Sequence, residues 1–530
     1  AAPAADAAPG GAPAPPAGAP VALEVSYNTA MQPLVRVSVG GQWLDLVFDA
    51  SSGDTLVFVK EYHACRPESF QPCYSAEKAG KSLRVCEDNL HAECSAGRGY
   101  SCSKFLPGID NATAHPDELV IDGLRYVQKS VEALDAVQVA LSGPSPWAVG
   151  WRSMPVRLLV QPLAIPEPHP EVTLRLFEGS SGLLGASGPS LSCRGENVWT
   201  RLLETWNVSV FALDFQPPPQ APAPLDRDVP APPGNGSSKS RVVLGHVDPR
   251  FKAGLMWSQP KQTGDILNDA MSEFLMYRPS VCGVDLLYNT SSNWLTVLDT
   301  SGPCLLLPPF LFDRLRAHLP VTCPFEMGQP SKGRLCSPDR SAGGGAAVLL
   351  PALSFKLEDV GEPSQGAAEA RKVEVPLERL VFRNASGKEF LCISRDDDAP
   401  DGAADMLFTH ISLGSLAVAA VYTVVDLEAH RVGLASRGNA SVESTDRFCK
   451  PRQPCKAMQT YYPPQNVCEN PLCSRYLFMT LDADTKTCIW SRSVPALFGV
   501  LLAALVALDL VGHRLYAQAT EKAGGLRLRQ

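Results

Sequence analysis

The sequence predicts an all-β body with a few short helices, followed by a Cys-rich segment and one C-terminal membrane helix. Three observations carry this. Apolar runs of four to eight residues, punctuated by Gly, Pro and Asn, dominate residues 24–437, while long helical patterns are few. A strand-like run ending on an acid occurs twice, as LVFDASSG (46–53) and LTVLDTSG (295–302). Near the C-terminus, VPALFGVLLAALVALDLVG (494–512) is apolar except for Asp509.

The chain has 530 residues, 45% hydrophobic and 19% charged, enough for one large core or two. The net charge of −8 comes from scattered acids, which argues against a nucleic-acid partner. Sixteen cysteines lack paired CxxC or Cys/His spacing, so they read as disulfides in an oxidising compartment and no metal site is expected. Six N-x-S/T sequons, at Asn111, Asn207, Asn235, Asn289, Asn384 and Asn439, agree with a secretory route and glycosylation.

Residues 1–23 begin AAPAADAAPGGAPAPPAG, an Ala/Pro-rich lead-in that cannot bury a core and is expected to be disordered. Its start lacks Met and a signal-peptide pattern, so a signal peptide is expected to have been removed. VALEVSY, LVRVSVGG, WLDLVFD, RVVLGHV, WLTVLD and YTVVDL read as strands. VWTRLLETWN (198–207) and PFLFDRLRAHL (309–319) are amphipathic at a 3–4 residue spacing and read as helices. The Pro-rich stretch 215–240 is an exposed loop between two strands, and RDDDAPDGAAD (395–405) is a solvated loop whose acids miss the spacing of a Ca²⁺ loop.

A weak internal repeat organises these elements. Asp49 is followed by GLLG (182–185) and the first helix; Asp299 is followed by the second helix and SLG (412–414). Gly185 and Gly414 would let a second strand pass close behind each acid-bearing turn. The resulting boundaries are an N-terminal β region 24–248, a C-terminal β region 249–437, a Cys-rich segment 438–492, a membrane helix 493–512 and a basic tail 513–530. Arg514, Lys522, Arg527 and Arg529 beyond the span place that end in the cytoplasm, giving a single-pass type I protein with a lumenal or extracellular body.

Cysteine arithmetic adds one expectation. Residues 24–248 hold six (Cys65, Cys73, Cys86, Cys94, Cys102, Cys193), residues 249–437 hold five (Cys282, Cys304, Cys323, Cys336, Cys392), and the following segment holds five. Two odd sets predict a bridge from the second β region to the Cys-rich segment; the alternative is a free thiol in each, such as Cys304.

Two acids ending apolar strands, each followed by small residues, suit carboxylate-pair chemistry. Two carboxylates a few Å apart cannot both ionise, so they share one proton. The ionised partner can take a proton from water while the other polarises a carbonyl, without metal, cofactor or covalent intermediate. No HExxH, G-x-S-x-G or phosphate loop competes for the assignment.

Over residues 24–437 the chain resembles the pepsin-like aspartic proteases. LVFDASS resembles the first active-site strand, and SSGLLGASGPSLSC with NVWTRLLETWNVSVFALDF resembles the family's following G-h-h-G segment, helix and strand. SRVVLGHVDPRFKAGLMWSQP, VLDTSGPCLLLPPFLFDRL and ISLGSLAVAAVYTVVDLEAHRVGLA are similar to three further family stretches, in order. The resemblance implies a bilobal fold, Asp49 and Asp299 as the catalytic pair, and an interlobe cleft that takes an extended peptide or protein.

The family writes D-T/S-G-S/T at both acids, and this chain departs from it. The turns read Asp49-Ala50-Ser51-Ser52 and Asp299-Thr300-Ser301-Gly302. By the resemblance, Thr300 keeps half of a mutual hydroxyl brace and Ala50 has lost the other half. A Cβ at Ser51 and Ser301 is expected to crowd the turns, Ser52 keeps a fourth-position hydroxyl, and Gly302 has none. The best match to the family's flap is Phe105-Leu106-Pro107-Gly108, with Phe105 in place of Tyr and Asn111 beside it. The resemblance therefore implies a membrane-anchored aspartic endopeptidase of reduced rate, or a catalytically inactive relative that binds a peptide or protein.

Overall fold

In a computed structural model of the chain, the structure describes residues 20–60, 73–75, 77–79, 118–121, 124–127, 130–142, 147–159, 177–188, 197–217, 239–260, 272–327, 329, 331, 334–339, 350–358, 372–384, 387–397, 409–437, 448–456, 458–473, 479–482, 484–491 and 493–527. The chain divides into two compact units, residues 1–450 and 451–530.

The first unit is mostly β, as the punctuated apolar runs predict. Its strands form three large sheets. A seven-stranded sheet draws only on residues before 160 and on Gly182–Gly185. An eight-stranded sheet draws only on residues after 272. The third, six-stranded and antiparallel, takes Val21–Glu24, Val210–Asp214 and Arg241–Leu244 from the first half of the chain. It takes Met256–Trp257, Val421–Asp426 and Arg431–Ser436 from the second half, joined through Val210–Asp214 against Val421–Asp426.

The acid-bearing strands occupy matching places in their sheets. Gln42–Asp49 has Gly182–Gly185 parallel beside it, with Gly185 opposite Asp49. Asn293–Leu298 has Ile411–Leu413 parallel beside it, with Leu413 opposite Leu298. Glycine is required at both crossings. A Cβ on Gly185 would lie 2.5–2.7 Å from backbone atoms of Gly53 and Asp54, and one on Gly414 would lie 2.1 Å from the Cys304 carbonyl oxygen. The close passage expected at these two glycines is present.

Both anticipated helices form, as Val198–Trp206 and Pro309–His318. The first starts because the Asn197 side chain accepts from Thr200 N–H at 2.7 Å, and it ends where Asn207 turns left-handed at φ 49°. Its Trp199 is fully buried between Phe48 (ring centroids 5.3 Å) and Phe211 (5.0 Å). The residue before Asp49 is thereby fixed in the core, with each such aromatic contributing roughly 2–3 kcal/mol of burial. A third helix, Ser415–Ala420, follows Gly414 in a stretch with no helical reading in the sequence. All six residues are small or aliphatic and buried, so it carries no amphipathic signal.

Five disulfides lie among the described residues. Cys282–Cys449 is the bridge expected between the second β region and the Cys-rich segment. Together with Lys450 N–H donating to His318 O at 2.8 Å, it holds the chain against the first unit past residue 437. Cys304 is bonded to Cys392, which removes the free-thiol alternative at that position. Of the cysteines before 249, Cys73 is described and disulfide-bonded; the other five lie outside the described residues.

The second unit is a small disulfide-stapled segment and one long helix. The hairpins Thr460–Tyr462/Val467–Glu469 and Met479–Leu481/Cys488–Trp490 carry the Cys455–Cys468 and Cys473–Cys488 bridges. The helix runs Ser493–Arg527, so it continues through the basic tail that the sequence sets apart at 513. Within it, the 28 residues Val494–Glu521 are long and apolar enough to cross a bilayer. At about 1.5 Å per residue the apolar part alone, 494–512, spans close to the ~30 Å hydrocarbon core.

Candidate active site

Asp49 ends a strand whose last four residues, Leu46 to Asp49, are all buried, and its carboxyl is almost wholly removed from water. Asp299 directly follows the strand Asn293–Leu298 and is partly exposed. The two turns are tied together by one side chain. Thr300 Oγ1 accepts from Ala50 N–H at 3.0 Å and donates to Phe48 O at 2.6 Å, crossing between residues 250 apart in sequence. This is the half-brace anticipated at Thr300. The methyl of Ala50 returns no reciprocal bond.

Each acid is held by its own turn. Asp49 Oδ1 accepts from Ser51 N–H (2.9 Å) and Ser51 Oγ (2.7 Å). Asp299 Oδ1 accepts from Ser301 N–H (3.2 Å), Ser301 Oγ (2.7 Å) and Gly302 N–H (3.1 Å). The N–H groups expected to survive at Ser51 and Ser301 are in use, and the serine hydroxyls add contacts not anticipated from the sequence. Both backbone N–H groups still reach their carboxylates, and each serine adds a short hydroxyl bond that a glycine could not make. At the fourth positions, the buried Ser52 hydroxyl lies close enough to Asp49 to stabilise its charge, whereas Gly302, which has no hydroxyl, supplies its N–H to Asp299.

The two carboxyls are electrostatically coupled. The Asp49 carboxyl is pushed up to about 6, first by burial and second by the negative charge of Asp299, against the lowering effect of the Ser51 and Ser52 groups. Burial and the neighbouring charge thus favour the protonated form of Asp49.

Two further residues at the site carried no signal in the sequence. Half-buried His410, just before Ile411–Leu413, lies within the field of Asp299. Burial holds its imidazole below the usual range, and the Asp299 charge acts in the opposite sense. Gln32 is fully buried and donates to Ser301 O at 2.6 Å from a position 269 residues away. Neither belongs to a spacing pattern, because both reach the site through tertiary contact alone.

The residues read as a flap, Phe105 and Gly108, lie outside the described residues, as do Asn111, Asn235 and Asn439. Asn207 and Asn289 are exposed, at φ 49° and φ 57°, where a glycan could be accommodated. Asn384 is half-exposed, and its Oδ1 accepts from Lys388 N–H at 3.0 Å.

No protein-family model matches the chain, and no curated protein is significantly similar to it.

Proposed function

We propose that the protein is an aspartic-type endopeptidase of the pepsin-like kind, anchored in a membrane by its C-terminal helix. One observation carries the reading: two strand-end carboxyls, 250 residues apart in sequence, face one another electrostatically across turns linked by Thr300. Supporting it are the matching parallel strands with Gly185 and Gly414 behind the two turns, and the sheet built from both halves of the chain.

The chemistry divides according to environment. Asp299, with three donors on one oxygen, acts as the base: it takes a proton from water, whose oxygen attacks the peptide carbonyl carbon. Asp49 gives its proton to the carbonyl oxygen, and a gem-diol forms. Asp299 then gives its proton to the amide nitrogen while Asp49 takes a hydroxyl proton from the gem-diol; the C–O bond regains its double character as the C–N bond breaks, leaving an amine, a carboxylic acid and the singly protonated pair. The missing half-brace at Ala50 leaves the pair less firmly fixed, so a modest rate is expected. The helix and the disulfides suit a single-pass protein whose body faces an oxidising compartment, and the basic residues after the span favour a type I orientation.

The test is cleavage of an unbiased peptide library by the purified chain between about pH 3 and 7. Cleavage with an acidic, bell-shaped profile, abolished by Asp49→Asn and by Asp299→Asn, supports the proposal. A chain that cleaves nothing, and stays inert when Ala50→Thr is introduced, overturns it in favour of a peptide- or protein-binding role for the same fold.

A further inference from the structure

Gln32 occupies an unusual place in the hydrogen-bond pattern around the two acids. Its side chain is fully buried and every polar atom is used. Oε1 accepts from Phe177 N–H at 2.7 Å and from Asn28 Nδ2 at 2.8 Å, while Nε2 donates to Ser301 O at 2.6 Å. The Asn28 side chain in turn receives Gln32 N–H at 2.8 Å, which locks the turn that carries the amide. One residue earlier, Met31 O accepts from Ser415 Oγ at 2.7 Å, a second tie between the same two parts of the chain. Phe177 sits at φ 62° and leads into the Gly182–Gly185 strand that flanks the Asp49 strand. A single amide therefore joins the assembly around Asp49 to the turn of Asp299.

The direction of the Ser301 contact gives it meaning. The Ser301 carbonyl and the Gly302 N–H belong to one trans peptide, so the two groups point in opposite directions. Gln32 grips the carbonyl end; the N–H end donates to Asp299 Oδ1 at 3.1 Å. Fixing one end of a planar unit aims the other, and a bond to the carbonyl also polarises the N–H. We propose that Gln32 is a positioning residue for Asp299, holding the Ser301–Gly302 peptide so that Gly302 N–H meets the carboxylate. It substitutes for the cross-tie that Ala50 cannot provide and for the hydroxyl that Gly302 lacks. The inference concerns how the turn is held and does not depend on the pair's cleaving peptides.

Amide hydrogen exchange of the full chain, resolved to residues 300–302 by fragmentation, tests this in four proteins: wild type, Gln32→Met, Gln32→Glu, and Gln32→Met with Ala50→Thr. Gln32→Glu keeps the acceptor for Phe177 and Asn28 and, once ionised, replaces the donor to Ser301 by a second acceptor; it decides the matter if Gln32→Met fails to fold. Exchange at 300–302 is expected to rise about tenfold in both single variants, as for loss of one buried hydrogen bond. The strands Val421–Asp426 and Arg431–Ser436 should keep their wild-type rates. Ala50→Thr should restore part of the protection by tying the turns from the other side, a rescue that a purely structural role for Gln32 would not produce. Unchanged exchange at 300–302, equal acceleration everywhere, or absence of rescue would each overturn the inference. A chain that shows the local pattern but cleaves no peptide keeps this inference and loses the peptidase. One that cleaves peptides with 300–302 indifferent to Gln32 does the reverse.

Discussion

Replacing Asp49 by Asn should make the protein more stable at neutral pH, not less. The Asp49 carboxyl is raised from 3.8 to about 6 in the folded chain. A raised acid binds its proton more tightly folded than unfolded. Below pH 3.8 both states are protonated and the group contributes nothing. As pH climbs from 3.8 to 6, the unfolded chain releases the proton while the folded chain retains it, and stability falls through that window. Above 6 the full cost of a buried charge beside a second charge is present. The rise corresponds to about 3 kcal/mol at ~1.36 kcal/mol per pH unit. Asn in this position keeps an oxygen for the Ser51 donors and offers its NH₂ toward Asp299, so the cost disappears. The assay is denaturant or thermal unfolding of both proteins at about pH 4 and 7, where the difference between them isolates this group from the other carboxyls. Near pH 4 the two should nearly coincide; at pH 7 the variant should lead by up to about 3 kcal/mol, roughly 3 °C in a unit this large. Asp299→Asn should recover a smaller part, because burial is the larger cause and Asp299's charge the second. Parallel pH dependences for wild type and Asp49→Asn, or a variant weaker at pH 7, would show that the two acids are not coupled as described.

Thr300→Val preserves shape but leaves Ala50 N–H and Phe48 O without their shared partner, so unfolding measurements should show a loss of about 2–4 kcal/mol. Gly414→Ala places a Cβ 2.1 Å from the Cys304 carbonyl oxygen, with only backbone to yield; a loss of about 3 kcal/mol or more, or failure to fold, is expected in the same assay. Non-reducing peptide mapping should recover a Cys282–Cys449 peptide pair, and replacing both cysteines by Ser should lower stability by about 2–4 kcal/mol.

Much of the framework was legible from local pattern. Strands such as Gln42–Asp49 and Asn293–Leu298 declare themselves because burial on a sheet imposes apolar runs that stop at small residues. Helix Val198–Trp206 is visible from its amphipathic spacing, while its Asn197 cap emerged only from the structure. The odd cysteine sets point to a bridge between regions, and the apolar stretch 494–512 to a spanning helix. Helix Ser415–Ala420 escaped because a fully buried segment has no polar face to create a period.

The sequence by itself determined the two acids, the small residues beside them and the glycines behind them, since each meets a short-range steric or chemical need. Whether those acids meet was decided only by tertiary structure. Thr300 reaching Ala50 and Phe48, and Gln32 reaching Ser301, span 250 to 269 residues, and no spacing rule encodes such contacts. The sense of the serine substitutions was likewise a matter of geometry. The sequence records only a serine two places after each acid; only the folded turn reveals that its hydroxyl points at the carboxylate and donates to it.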